Sequence, residues 1–436
     1  MTLSKKIKNV KIILGDIGKK GFFHLLSSNI LLKIVGSVST LLVVKWLTPE
    51  ELGQITTMRA ITQIAFIVAT FGFNTSILKL CSELRPVEEK AYIFRKNLFY
   101  TSTSIFLVLI ILYVLAKLSI LSPDEKINEL LPYFMMSIPA GVILNLFVSF
   151  LQAMKQIKKI ATVNIYARFI NLTAIILLTY FWGLSGYIFA LVVLGYFILP
   201  LIYNSLKDFI KNPAIVENVF NSSFFLAKWS VAANSITTVG NFMDVLMLNF
   251  LTLDRDEFGY YSAAALFMVP VREITKTVRD IALPYFSEKQ DNREEFFRVL
   301  KKYKRLMFLL AIGVAIAGSI AVPIFVDLFY GEEYANTSIY FMILAVGFIF
   351  HSNAALIATS VIAVGKMRYN FFSSSIYVPL SIGLNYFFIS YIGVIGAAIA
   401  QTAASFISMI VIIFLSSRGL TEHFNELESN SNNNEF

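Results

Sequence analysis

The feature that most constrains this chain is a train of long apolar segments with almost nothing between them. They cover residues 25–46, 55–79, 97–117, 132–153, 163–182, 187–204, 222–250, 259–284, 306–328, 337–363, 370–390 and 395–416. A helix crossing the hydrocarbon core of a bilayer needs about 20 apolar residues, and each segment is of that order. Barrel strands would be about ten residues long with strict alternation, and these segments do not alternate. Twelve helical spans need about 240 residues. The chain has 436 residues, of which 57% are hydrophobic and 15% charged, against about 25% charged in a soluble domain. A soluble enzyme is excluded, because that much apolar surface could not be hidden from water. The reading is an all-α membrane protein of twelve transmembrane helices.

Lysine and arginine orient the spans, since they concentrate in cytoplasmic loops. With the N-terminus inside, the inner segments hold 26 of these residues. The outer ones hold three, Lys117, Lys126 and Arg255. Both termini are therefore expected in the cytoplasm. The net charge of +9 is explained by topology, and nucleic acid is not expected as a partner. The one cysteine, Cys81, excludes an internal disulfide and a cysteine-built metal site. No phosphate-binding GxxxxGK[ST] loop is present, and no outer loop is long enough for the active site of a membrane glycosyltransferase or ligase.

The two halves echo each other. LTPEELG (47–53) matches LTLDRDEFG (251–259), PYFM (132–135) matches IYFM (339–342), and GLSGYIFA (183–190) matches GVIGAAIA (393–400). The offsets are nearly constant and an even number of helices separates the copies. The halves are thus expected to be two six-helix lobes in a parallel pseudo-repeat, related by an axis along the membrane normal, with a cavity between them. The expected division is a basic cytoplasmic segment 1–20, an N-terminal lobe 21–211, a C-terminal lobe 212–418 and a disordered tail 419–436. An interfacial helix is expected within 285–305.

Ionisable groups inside spans are costly and usually face a polar cavity. The densest cluster is Arg272, Glu273, Lys276, Arg279 and Asp280. Arg272, Lys276 and Arg279 recur at i, i+4, i+7 on one helix face, with Lys276–Asp280 a candidate i,i+4 pair. Arg272 lies about 18 Å below the outer end of its helix. Lys33 lies near mid-membrane in the first segment and Arg59 near the outer end of the second. Together these cations suit an anionic substrate. Lys45 is as readily a residue reaching the interface. Asp244 is the lone acid deep in the seventh segment: either a proton or sodium site or a salt-bridge partner of a neighbouring cation. His351 reads chiefly as a packing residue.

At this point the chain resembles the bacterial polysaccharide transporters, flippases for O-antigen or capsule repeat units. They belong to the multidrug/oligosaccharidyl-lipid/polysaccharide exporter superfamily. The carriers are KWLTPEELGQ (45–54), MDVLMLNFL (243–251), EFGYYSAAALF (257–267), LPYFSE (283–288) and LNYFFISYIGVIGAAIAQ (384–401). The resemblance implies a two-lobed, MATE-like fold. It implies a multi-pass protein of the bacterial inner membrane that is a transporter, not an enzyme. The activity would be alternating-access movement of an undecaprenyl-pyrophosphate-linked oligosaccharide from the inner to the outer leaflet, with the pyrophosphate against the basic residues. No cofactor is implied beyond a coupling proton or sodium ion, for which Asp244 and Asn385 match the family's positions. Implied partners are membrane lipids, the polysaccharide polymerase and the chain-length machinery. Ala263–Ala265 stand where the lipid II branch has an arginine, which argues against a lipid II substrate. A multidrug exporter of the same fold is the alternative, although drug cations would favour a more acidic cavity. A membrane enzyme such as a polymerase, the further rival, fits neither the short outer loops nor the repeat.

Overall fold

The computed structural model describes residues 40–252 and 254–433. The basic segment 1–20 and Lys33 lie outside them. Among the described residues all regular structure is helical. The helices are α1 (Pro49–Thr70), α2 (Phe73–Ser82), α3 (Val87–Lys117), α4 (Glu125–Phe134), α5 (Ser137–Ala153), α6 (Ile157–Leu206) and α7 (Val219–Asn241). They continue as α8 (Met243–Leu251), α9 (Arg255–Glu288), α10 (Arg293–Phe325), α11 (Thr337–Ala363), α12 (Arg368–Ile392) and α13 (Ile395–Asn433).

Several spans are broken. The second span divides into α1 and α2 at Phe71 and Gly72, both with positive φ. The fourth divides into α4 and α5 with a 42° bend, and the seventh into α7 and α8 with a 52° bend. Seven helices and these last two bent pairs are long and apolar enough to cross a membrane. Three expected spans are not in that tally. Most of 25–46 lies before the described residues, α9 carries too many charges, and α6 holds two spans in one continuous assignment.

α6 is in fact a hairpin. A straight 50-residue helix would be about 75 Å long, far beyond a bilayer core of about 30 Å. Gly183 breaks it with φ 53° and ψ −136°. A Cβ on Gly186 would lie 1.9 Å from the Leu178 carbonyl oxygen. The Lys159 ammonium donates to the Ser205 carbonyl at 3.3 Å across the two arms. The turn between α12 and α13 is built the same way. Gly393 has φ 67° and ψ −151°, and a Cβ on Gly396 would lie 2.2 Å from the Phe388 carbonyl oxygen. Each residue of this turn stands 210 positions after its counterpart, so the internal repeat is a repeat of backbone geometry.

The lobes meet at one end through repeat-related residues. Thr48 and Glu51 form a reciprocal cap on α1, and Asp254 accepts from the Glu257 N–H at the start of α9, 206 positions later. Gly53 and Gly259, also 206 apart, then face each other. A Cβ on Gly259 would fall 2.1 Å from the Pro49 carbonyl oxygen, so α1 and α9 touch backbone to backbone. Hydrogen bonds surround this crossing. Tyr334 donates to the Leu47 carbonyl at 2.9 Å, Tyr340 to the Glu257 carboxylate at 2.9 Å, and Ser122 to Asn249 at 2.7 Å. One apolar core joins Leu41, Val44 and Leu52 to α8, α9 and α11.

At the opposite end α7 leans on the N-terminal lobe. Val219 and Ala227 are buried in a core with Phe73, Ile77 and Phe94. Ser76 donates to the Ser223 carbonyl at 2.7 Å, and Asn97 to the Ser223 hydroxyl at 3.0 Å.

Two expectations are corrected here. No separate interfacial helix fills 285–305, because α9 and α10 extend to a tight turn at Glu288–Arg293. The tail from residue 419 is helical through Asn433. Its composition reads as disordered, but distant contacts order it. Glu422, past the apolar stretch of α13, accepts from Lys366 at 2.7 Å, Tyr369 at 2.6 Å and Arg368. Glu426 accepts from the same Lys366 at 2.7 Å. Phe424 packs on Phe296 and Phe297.

Two outcomes follow from these contacts. Gly259→Leu should hold α1 and α9 apart. A cysteine at Thr56, in a Cys81→Ser background, should then react with an impermeant maleimide from the sealed end about tenfold faster; an unchanged rate would refute the seal. The three donors hold the Glu422 carboxyl at about 2, below its ordinary 4.5. Its contribution to docking the tail is therefore complete above pH 4.5 and disappears as the pH falls through about 2. Proteolytic nicking after residue 419 should rise in that window, and Glu422→Gln should remove the acid-dependent step.

Candidate functional site

The break at Phe242 creates the first element of the site. It starts a new helix, α8, with Asp244 in its first turn. A helix start presents unpaired N–H groups and a positive dipole end, and the Asp244 carboxylate takes the N–H groups of Asp244 and Val245. The Tyr261 hydroxyl, from α9, donates to the same carboxylate. Arg272, further along α9, lies within electrostatic range of Asp244, Tyr261 and Tyr377. Asp244 and Arg272 are not in contact as an ion pair; Tyr261 is the partner of the acid. Tyr377 is itself hydrogen-bonded to Ser381 and Gln401.

The second element is a cavity of about 490 Å³ in the C-terminal lobe, between α7, α9, α11, α12 and α13. Asn241, Arg279, His351, Asn370, Ser374 and Tyr377 supply its polar lining. Ala354, Ala355 and Ala358 make the room by presenting small side chains along α11. Arg272 and Arg279 are both in electrostatic range of His351, so the cavity adjoins the Asp244 site.

The expected site residues separate into groups. Asp244, Arg272 and Arg279 come together around these two elements. Lys276 is exposed and forms no ion pair with Asp280, contrary to the i,i+4 expectation, since both side chains are exposed on α9. Arg59 belongs to the other lobe. Its guanidinium lies 5.6 Å from the centre of the Tyr187 ring, in a narrow gap with Thr56 and Leu266. Asn385 is buried and its amide donates back to Ser381 at 2.9 Å, leaving its side-chain oxygen without a donor. His351, read as a packing residue, is exposed to the cavity. Tyr261 and Tyr377 were hidden among 20 tyrosines. The run Ser373–Ser375 inside an apolar helix was the available signal for the α12 side of the cavity.

With this geometry in view, the comparisons decide the family. A family model described as polysaccharide biosynthesis protein matches residues 42–339. The chain belongs to that family. A Shigella flexneri protein named as an O-antigen transporter is 24% identical over 237 residues, which is 54% of this chain and 56% of that protein. The capsular polysaccharide biosynthesis protein CapF of Staphylococcus aureus is 22% identical over 414 residues, 90% of this chain and 97% of that one. Two solved structures share the fold. An inward-facing MATE family transporter of the MOP superfamily superposes with a TM-score of 0.74 at 13% identity, covering 89% of this chain and 95% of that one. The lipid II flippase MurJ, inward closed, superposes with a TM-score of 0.73 at 16% identity, covering 93% and 90%. The chain is thus a multi-pass membrane protein of the polysaccharide biosynthesis family, built on a fold used by transporters and not on an enzyme scaffold.

The Asp244–Tyr261 contact is directly testable. A hydrogen bond to a charged group contributes about 1.5–3 kcal/mol. A double-mutant cycle of Asp244→Asn and Tyr261→Phe, read by unfolding in detergent, should return a coupling in that range. Additivity within about 0.5 kcal/mol would show that the pair does not interact.

Proposed function

We propose that this protein is a flippase for a lipid-linked oligosaccharide, an O-antigen or capsular repeat unit. In this reading an undecaprenyl-pyrophosphate-linked glycan passes from the inner to the outer leaflet of the bacterial inner membrane by alternating access, with both chain termini in the cytoplasm. The observation that carries the reading is the position of the cations relative to the seal. Arg272, Lys276 and Arg279 lie on α9 about 20–30 Å below the Gly53–Gly259 crossing. They are on the side away from the backbone seal, and Arg279 lines a polar cavity there. The sealed end corresponds to the outer face if the loops rich in lysine and arginine are cytoplasmic. A pyrophosphate would then meet guanidinium groups from the inner leaflet, while the outer exit is closed.

Arg272, Lys276 and Arg279 would hold the anionic head group. Arg59, engaged by Tyr187 in this conformation, and Lys33 complete the proposed cationic set. Asp244 is the proposed site of a coupling proton or sodium ion. The donor-free side-chain oxygen of buried Asn385 supports a second oxygen ligand in the same lobe, since hard cations take oxygen donors. The polymerase and chain-length machinery would receive the product. The alternative, a multidrug exporter, would need an acidic or aromatic cavity for cationic drugs, whereas the one formal charge lining this cavity is Arg279.

The test is deletion of the gene in its host, scoring surface polysaccharide and lipid-linked precursor together. Loss of polysaccharide with complete repeat units accumulating on the cytoplasmic leaflet is expected. Complementation by Arg272→Ala, at normal protein abundance, should fall about tenfold or more, the scale of a lost charge-assisted hydrogen bond. Unchanged polysaccharide with altered drug sensitivity would establish the exporter instead.

A further inference from the structure

A run of unpaired charge lies outside the site, in the first half of α10. Arg298, Lys301, Lys302, Lys304 and Arg305 place five cations within eight residues. In the other loops rich in lysine and arginine many cations are spent on protein carboxylates: Arg85 on Glu83, Lys211 on Asp208, Lys366 on Glu422. Among the described residues none of the five on α10 forms an ion pair. Lys302 is half-buried and the other four are exposed. Of the two acids a turn earlier, Glu295 is engaged by Lys289, which leaves Glu294 against five cations.

The faces of α10 show where these cations point. Phe296, Leu300, Tyr303 and Met307 recur at i, i+4, i+7, i+11. They are buried in one core with Val278 and Ala282 of α9 and Leu356 of α11. Arg298, Lys302 and Arg305 follow the same spacing on the opposite face, which continues as the exposed Leu309, Ile316 and Ile320. Lys301 and Lys304 stand two turns and one turn before exposed Phe308. Residues 306–326 carry no charged side chain, and Arg305 and Asp327 flank them. They run for about 31 Å, the thickness of a hydrocarbon core of about 30 Å. The charge-free stretch therefore sets the level of the bilayer on α10. The cations fall at its head-group layer, on the lipid-facing side.

We infer that this part of α10 is a binding surface for anionic phospholipid of the leaflet it enters. The phosphodiester sits among the guanidinium and ammonium groups, and the acyl chains cover Leu309, Ile316 and Ile320. Clusters of about four to eight lysines and arginines at the cytoplasmic end of a span recognise anionic lipid, each contributing about fivefold. Other polyanions fit less well. The flippase substrate is assigned to α9 and the cavity beside it, and the cationic face of α10 points away from α9. A soluble polyanion would have to enter the head-group layer. The inference goes beyond the flippase reading and takes from it only the orientation, with the loops rich in lysine and arginine cytoplasmic.

The experiment places a fluorophore on this stripe of the full-length protein, in nanodiscs of mixed phosphatidylcholine and phosphatidylglycerol. Phe308→Cys, in a Cys81→Ser background, carries bimane beside the cations. Ile324→Cys carries it near the other end of the charge-free stretch. Quenching by brominated phosphatidylglycerol against brominated phosphatidylcholine reads which lipid is held at each point. Phosphatidylglycerol should be preferred about tenfold at position 308 and less than about twofold at 324. The preference at 308 should shrink as salt is raised. Arg298→Gln, Lys302→Gln and Arg305→Gln together should reduce it to about twofold. Arg298→Lys with Arg305→Lys should retain it, which separates lost charge from a folding defect. Equal quenching by the two lipids at 308, an equal preference at 324, or a preference that survives the triple glutamine variant would overturn the inference. Displacement by undecaprenyl pyrophosphate or by inorganic phosphate, at a concentration equal to that of the lipid, would also overturn it and give the patch to the substrate or to a free anion. None of these outcomes touches the precursor phenotype of gene deletion, so the flippase reading stands or falls separately.

Discussion

Two helices with side chains at their crossing keep their axes about 8–10 Å apart. α1 and α9 come closer because each presents a glycine, and the backbone at Gly259 rests on the backbone at Pro49. The closure of one end of the molecule depends on this contact. It brings the cap of α1 against the start of α9 and places Tyr334 where its hydroxyl can reach across the lobes. It also lets Leu41, Val44 and Leu52 join a core made mostly by the other half. The partners are repeat equivalents, so the pseudo-symmetry axis passes through the contact. One local solution, an acidic cap followed by a glycine, serves both lobes.

The lobes are not joined in the same way at the other end. There α7, assigned by sequence order to the second half, has its first turns in the core of the first. Residues 41–52 of the first half lie in the core of the second. Each lobe thus holds a piece of its partner, on opposite ends. A rocking motion about the glycine crossing would have to carry these pieces along, and the breaks at Phe71–Gly72 and Phe242 interrupt the helices between them.

Much of this was legible in the sequence, for physical reasons. Apolar length is a strong signal because the bilayer demands it. The repeat was visible at Gly53 and Gly259 and at Gly183 and Gly393, where only glycine tolerates the close approach or the positive φ. The helical tail was not legible, because Lys366 and Arg368 order Glu422 from more than fifty residues away and composition carries no trace of that pairing. The i, i+4, i+7 spacing correctly placed Arg272, Lys276 and Arg279 near one another on α9. It could not show that Arg279 enters a cavity while Lys276 does not, since that depends on α11 and α12. Asp244 stood out as a lone acid, but its partner Tyr261 did not, because a tyrosine in an apolar helix is usually unremarked packing.

The charge arrangement in the second lobe has its own logic. A carboxylate and a guanidinium in the same low-dielectric region would ordinarily pair, and each would then be unavailable to a ligand. Here the Asp244 charge is met locally, by the N–H groups at the start of α8 and by the Tyr261 hydroxyl. Arg272 feels that charge at a distance without being held by it. Arg279 lines the cavity, with the Asp280 and Glu273 carboxylates of its own helix within electrostatic range. Breaking the seventh span just before Asp244 therefore does two things at once. It supplies the acid with backbone donors, and it leaves Arg272 outside an ion pair with Asp244.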